Sequence, residues 1–106
     1  MTVFTLRVMT SPQSRTEILR SLTGILGLTR AQAGCVSCRL YSDIEEPKAV
    51  LLREEWVSEG DLNRSLRSED FKRVLAAIDL AGAPPELYID QIAMRGGMEM
   101  IESVRV

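Results

Sequence analysis

CVSCRLYSDIEEPKAVLLREEWV, residues 35–57, decides the fold. Its two ends alternate in polarity and its middle does not. In CVSCRLYS (35–42), Val36, Cys38 and Leu40 share one face, and Cys35, Ser37, Arg39 and Tyr41 share the other. A period of two is the pattern of a strand. DIEEPK has the composition of a turn and is ended by Pro47. KAVLLREEWV (48–57) then reads as a further strand. So short a turn between two strands predicts an antiparallel hairpin.

Upstream, TVFTLRVM (2–9) alternates as well, with Phe4, Leu6 and Val8 opposed to Val3, Thr5, Arg7 and Met9. Ser11 offers an N-cap oxygen and Pro12 a suitable first helical residue. Ile18, Leu19, Leu22, Ile25 and Leu26 follow at helical spacing as one apolar stripe. Gly34 suits the turn back into the hairpin. Downstream, Ser58 with Asp61 resembles a capping box, and Leu62 and Leu66 lie one helical turn apart. Ser68 restarts the pattern, with Phe71, Val74, Leu75 and Ile78 as its stripe. Gly82, Pro84 and Pro85 stop it. ELYIDQIAM (86–94) predicts a fourth strand, and after the Gly96-Gly97 hinge the tail MEMIESVRV predicts a fifth, short one.

The order β-α-β-β-α-β is the ferredoxin-like arrangement, an α+β fold with an antiparallel sheet and both helices on one face. A chain of 106 residues holds one such domain, 1–106, with residues 95–106 as a tail strand. Each helix has a single stripe, so the other sheet face is left uncovered. That face would carry Val3, Thr5, Arg7 and Met9, then Ala49, Leu51, Arg53, Glu55 and Val57. On the fourth strand it would carry Leu87, Ile89, Gln91 and Ala93, or the set with Tyr88 and Ile92. Aliphatics and arginines on an open face predict a homodimer, sheet against sheet, with Arg7 and Arg53 paired to carboxylates such as Glu55. The tail would cross to the partner.

Composition removes several functions. Thirteen basic and 15 acidic residues give a net charge of −2, without the basic excess that phosphate contact requires, so no nucleic-acid partner is expected. No apolar run reaches the roughly 20 residues of a membrane span, and no membrane partner is expected. The N-terminus alternates around Arg7, unlike a signal peptide, and a cytoplasmic protein is expected. Histidine is absent. A Ser-His-Asp triad, a His-ligated zinc and a haem-ligating histidine are therefore excluded within the chain. Cys35 and Cys38 stand three apart on a strand, which predicts opposite faces and no disulfide between them. That spacing also argues against a redox Cys-x-x-Cys, which belongs at a helix start.

From Gly34 through the second helix the sequence resembles the antibiotic biosynthesis monooxygenase family. The residues that carry this are Gly34, Tyr41, the acidic turn Asp43–Glu46, Glu55-Trp56, Ser58-Glu59, and Ser68 with Phe71. The resemblance implies a ferredoxin-like subunit that pairs into a dimeric α+β barrel. It also implies cofactor-independent oxygenation of aromatic polyketides or quinols, haem degradation, or isomerase-like chemistry. Haem-degrading relatives use an Asn on the first strand, a Trp in the second helical region and a His. This chain has no such Asn, reads Arg64-Ser65-Leu66 there, and has no His. The expectation is thus a monooxygenase-like protein with no cofactor and a small aromatic ligand; the alternative is a non-catalytic binding or structural dimer.

The candidate catalytic residues are Trp56, Arg39, Tyr41, Arg53 and Asp90. Trp56, the only tryptophan, could wall a ring-binding pocket or simply close the core. Arg39 and Arg53 could hold a phenolate, and Tyr41 could relay a proton; the plainer reading is ion pairing at the dimer seam. Asp90 and Gln91 face opposite ways, and an inward Asp90 raised by burial could act as base.

Overall fold

A computed structural model describes residues 1–106. The elements run β1 (Thr2–Met9), α1 (Arg15–Arg30), β2 (Cys35–Ser42), β3 (Ala49–Trp56), α2 (Glu59–Leu66), α3 (Lys72–Ala81), β4 (Glu86–Gln91) and α4 (Met98–Val104). The four strands form one sheet in the order β2-β3-β1-β4, and every neighbouring pair is antiparallel. This is the ferredoxin-like sheet that the alternation predicts. No helix is long and apolar enough to cross a membrane.

Alternation sorts the central strands. Phe4, Leu6 and Val8 of β1 stand opposite Glu54, Leu52 and Val50 of β3 and face the helices. Ile18, Leu22 and Ile25 of α1, Leu62 of α2, and Val74 and Ala77 of α3 close over them. Phe4 meets Phe71 edge to face, with ring centroids 6.1 Å apart. Burying each such aliphatic side chain contributes about 1.5–3 kcal/mol.

The helix ends follow their local chemistry. Ser58 caps α2, its Oγ accepting from the Asp61 N–H at 3.2 Å. Gly82 ends α3 in the left-handed conformation at φ 69°. Gly34, at φ 83°, turns the chain into β2, and a Cβ there would meet the Asp61 carboxyl. Helix α1 starts later than Pro12. Ser11 and Ser14 exchange backbone-to-side-chain hydrogen bonds of 3.0 and 3.2 Å, and Ser14 becomes the N-cap.

Four points are decided, and the first and third correct an expectation. First, β4 ends at Gln91, and the tail is not a strand: Met98–Val104 is a helix. Glu99 accepts from the Gly97 N–H at 2.9 Å, a local contact that starts a helical turn. Second, of the two sets left open for β4, the one with Tyr88 takes the open face: Leu87, Ile89 and Gln91 pair with Leu6, Phe4 and Thr2 and lie on the helix side, and Glu86, Tyr88 and Asp90 on the other. Third, a bulge between Cys35 and Ser37 shifts the β2 register, so Cys35 pairs with Trp56 and Cys38 with Glu54. Both cysteines therefore lie on the helix side, because the extra residue Val36 breaks the strict alternation. Fourth, both arginines of the open face meet carboxylates, Arg53 the expected Glu55 at 2.7 Å and Arg7 Asp43 at 3.3 Å.

Candidate active site

The helix-side face of β3 reads Val50, Leu52, Glu54, Trp56. An acid thus stands in an apolar row. Glu54 is 3% exposed, with Phe4 opposite it on β1 and Cys38 opposite on β2. Trp56 is fully buried, and its Nε1–H donates to Glu54 Oε1 at 3.1 Å. Burial disfavours the charged carboxylate more than the indole donation favours it, and the Glu54 pKa is pushed up to about 7. A carboxyl poised near neutrality can accept a proton and return it. In a chain without histidine it is the group best matched to that task.

The thiols beside it are inert. Burial, and then the charge of Glu54, push the Cys38 thiol up to about 12; Cys35 is raised for the same two reasons. Both remain protonated at neutral pH, and a thiol is a poor nucleophile in that form. No cluster of three or more His, Cys, Asp or Glu side chains could hold a metal ion.

The sheet divides the residues singled out from sequence. Trp56 faces the helices. Arg39 and Tyr41 pair with Arg53 and Leu51 on the open face, and Asp90 pairs with Val3 there. Asp90 is exposed, so it is not the buried base that an inward orientation would make it. Gln91, on the helix-side face of β4, accepts a 2.8 Å hydrogen bond from Thr2 Oγ1 and is exposed as well. No cavity borders Trp56; the indole packs in the core. The nearest opening is a cleft of about 500 Å³ on the β2 edge, lined by Arg30, Val36, Ser37, Cys38 and Arg39. Sequence reasoning missed Glu54. The signal was present: it has the same parity as Val50, Leu52 and Trp56.

The open face carries its own charge centre. Glu55 accepts from Arg95, Arg53 and Ser37, and the two guanidiniums above all hold its carboxyl down to about 2. Arg95 comes from the segment after β4, so this contact lays the start of the tail across the sheet towards β3.

The family profile described as antibiotic biosynthesis monooxygenase matches residues 1–77. No curated protein sequence matches the chain. Among solved structures, a Deinococcus radiodurans protein assigned to the same enzyme family is 16% identical, with a TM-score of 0.83 over 92% of this chain and 97% of that one. The Mycobacterium tuberculosis protein Rv0793 is 21% identical, with a TM-score of 0.82 over 91% of this chain and 98% of its own. A conserved protein from Methanosarcina mazei is 22% identical, with a TM-score of 0.77 over 86% of this chain and 92% of its own.

Proposed function

The chain belongs to the antibiotic biosynthesis monooxygenase family, and on that premise we propose that it oxygenates a small phenol, quinol or anthrone-type molecule without a cofactor, using Glu54 as base. The observation that carries this is the buried Glu54 carboxylate held by Trp56. Cofactor-free oxygenation begins by removing a proton from an electron-rich ring system. The resulting carbanion or phenolate gives one electron to O2, and the radical pair recombines as a peroxide. Loss of water then leaves a carbonyl: an anthrone CH2 plus O2 becomes C=O plus H2O. Glu54 takes the first proton and returns it to the departing hydroxide. Trp56 is a positioning residue that orients Oε1 through its indole N–H. The dry core around them, with Phe4, Leu6 and Leu52, excludes the water that would quench the anion. Entry is from the β2 edge, where Cys38, on the cleft wall, stands opposite Glu54.

The expected result is oxygen uptake and quinone formation with at least one member of a panel of anthrones and naphthoquinols, strongly reduced in Trp56→Phe. No uptake across the panel would overturn the reading. The second reading, a non-catalytic binding protein of the same fold, is favoured by one observation: no cavity borders Trp56. Oxygen uptake decides between them.

The same proposal makes the protein a cytoplasmic homodimer built on the open sheet face. Leu51, Met9, Tyr41 and Tyr88 are only partly covered there. Tyr41, Arg53 and Asp90 then serve the seam. Helix α4 buries none of its residues and exposes Met98, Met100, Ile101 and Val104, and the chain is drawn out to 51 Å along its long axis. Arg95, held by Glu55, carries the tail over the face that seats the partner. Sedimentation at micromolar concentration is expected to give twice the 11.8 kDa chain mass, with looser association in a chain ended at Gly97. A clean monomer contradicts the dimer. An equally tight truncated dimer contradicts the role of the tail.

A further inference from the structure

The cleft on the β2 edge is lined by two guanidinium groups, Arg30 from the last turn of α1 and Arg39 from β2, and by no carboxylate. Neither arginine takes part in any of the ion pairs within the chain. Arg15, Arg67, Arg73 and Arg105 are unpaired as well, but Arg30 and Arg39 are the two that line one concavity together.

Arg30 is held in place. Its Nε–H donates to the Cys38 carbonyl at 2.9 Å, which fixes the guanidinium plane and leaves the terminal nitrogens for a ligand. The bond also occupies an outward carbonyl of an edge strand, which discourages addition of another strand there. Arg39 is exposed beside it. Bulged Val36 gives the cleft an apolar side and is half-exposed. The volume of about 500 Å³ lies in the range of small-ligand sites, ample for two fused rings. Planar guanidinium forks match planar carboxylates.

We propose that this cleft is a subsite for the acid group of an aromatic carboxylate: Arg30 and Arg39 hold the oxyanion, and the ring extends past Val36 and Cys38 towards Glu54. Anion binding stands on the cleft alone; the fate of the ring rests on the oxygenase reading above. The substrate of that reaction is then an acidic phenol or quinol. When Glu54 takes the phenolic proton, the substrate becomes a dianion, and the two guanidiniums offset the charge that builds.

Calorimetric titration of the full chain at neutral pH with 2-naphthoate, 2-naphthamide and inorganic phosphate tests the subsite. Naphthoate is expected to bind at least about tenfold more tightly than naphthamide, the size of effect typical of hydrogen bonds to a charged group. Arg39→Gln, at an exposed position, is expected to weaken naphthoate by about the same factor and leave naphthamide unchanged. Arg30→Lys keeps the charge, loses the fork, and is expected to weaken naphthoate less than Arg30→Gln does. Equal affinity for naphthoate and naphthamide overturns the proposal, as does inorganic phosphate binding as tightly as naphthoate. Naphthoate binding with no turnover of any panel compound removes the oxygenase and keeps the subsite. Oxygen uptake equal for acidic and neutral phenols, and indifferent to Arg39→Gln, removes the subsite and keeps the oxygenase.

Discussion

Glu54→Gln is expected to stabilise the protein by about 3 kcal/mol above neutral pH and to change little near pH 4. The sign follows from burial. The unfolded chain titrates this carboxyl near 4.5, whereas the folded chain holds its proton up to about 7. Between those values the folded state keeps a proton that the unfolded state has released. Stability therefore falls as pH rises from 4.5 and levels off above about 7. Gln keeps an oxygen for the Trp56 N–H and removes the charge. Glu55 next to it acts in the opposite sense. Arg95 and Arg53 hold its carboxyl down to about 2, so its contribution is full above 4.5 and is lost as pH falls through that range. Urea unfolding of wild type and Glu54→Gln at both pH values checks the prediction. Equal stability at the higher pH would show that Glu54 titrates normally.

The second large effect belongs to Trp56. Trp56→Phe removes part of a fully buried ring and the one side-chain donor found for Glu54. A loss of about 2–4 kcal/mol is expected above neutral pH, combining lost packing with an ionised group left without its hydrogen bond. The loss should shrink near pH 4, where Glu54 is protonated and needs the donor less. It should also shrink in a Glu54→Gln background, because the two side chains touch and their effects do not add. A cost independent of pH, and the same in both backgrounds, would mean that Trp56 only fills space.

The architecture was readable because it depends on period and punctuation. Alternation marked β1 and β3, and one apolar stripe marked α1. Ser58 with Asp61, and Gly82 before two prolines, marked helix ends. The failures have separate physical causes. Val36 has no local feature that announces a bulge, and without the bulge Cys35 and Cys38 count to opposite faces. MEMIESVRV has β-prone residues, yet with no strand beside it a helix satisfies its backbone locally. On β4 both faces read as acceptable, and only pairing with β1 places Leu87 and Ile89 on the helix side and Asp90 on the open face. Arg39 and Arg53 suit a ring anion by their charge, and Tyr41 suits a proton relay. They lie across the sheet from Trp56, because residues of odd number on β3 point away from it. Glu54 escaped because its neighbour Glu55 is also acidic, and two adjacent acids suggest a solvated edge. Its parity, shared with Leu52 and Trp56, is what fixes it beside the indole.

Oxygen consumption by wild type and by Glu54→Gln on one anthrone-type substrate, between about pH 5 and pH 9, tests the base most directly. For the wild type, kcat/KM is expected to rise with pH through about 7, as the Glu54 carboxyl ionises. The Gln variant, although more stable, is expected to be slower by about a hundredfold or more across the range. Wild-type rates in Glu54→Gln would rule out Glu54 as the base.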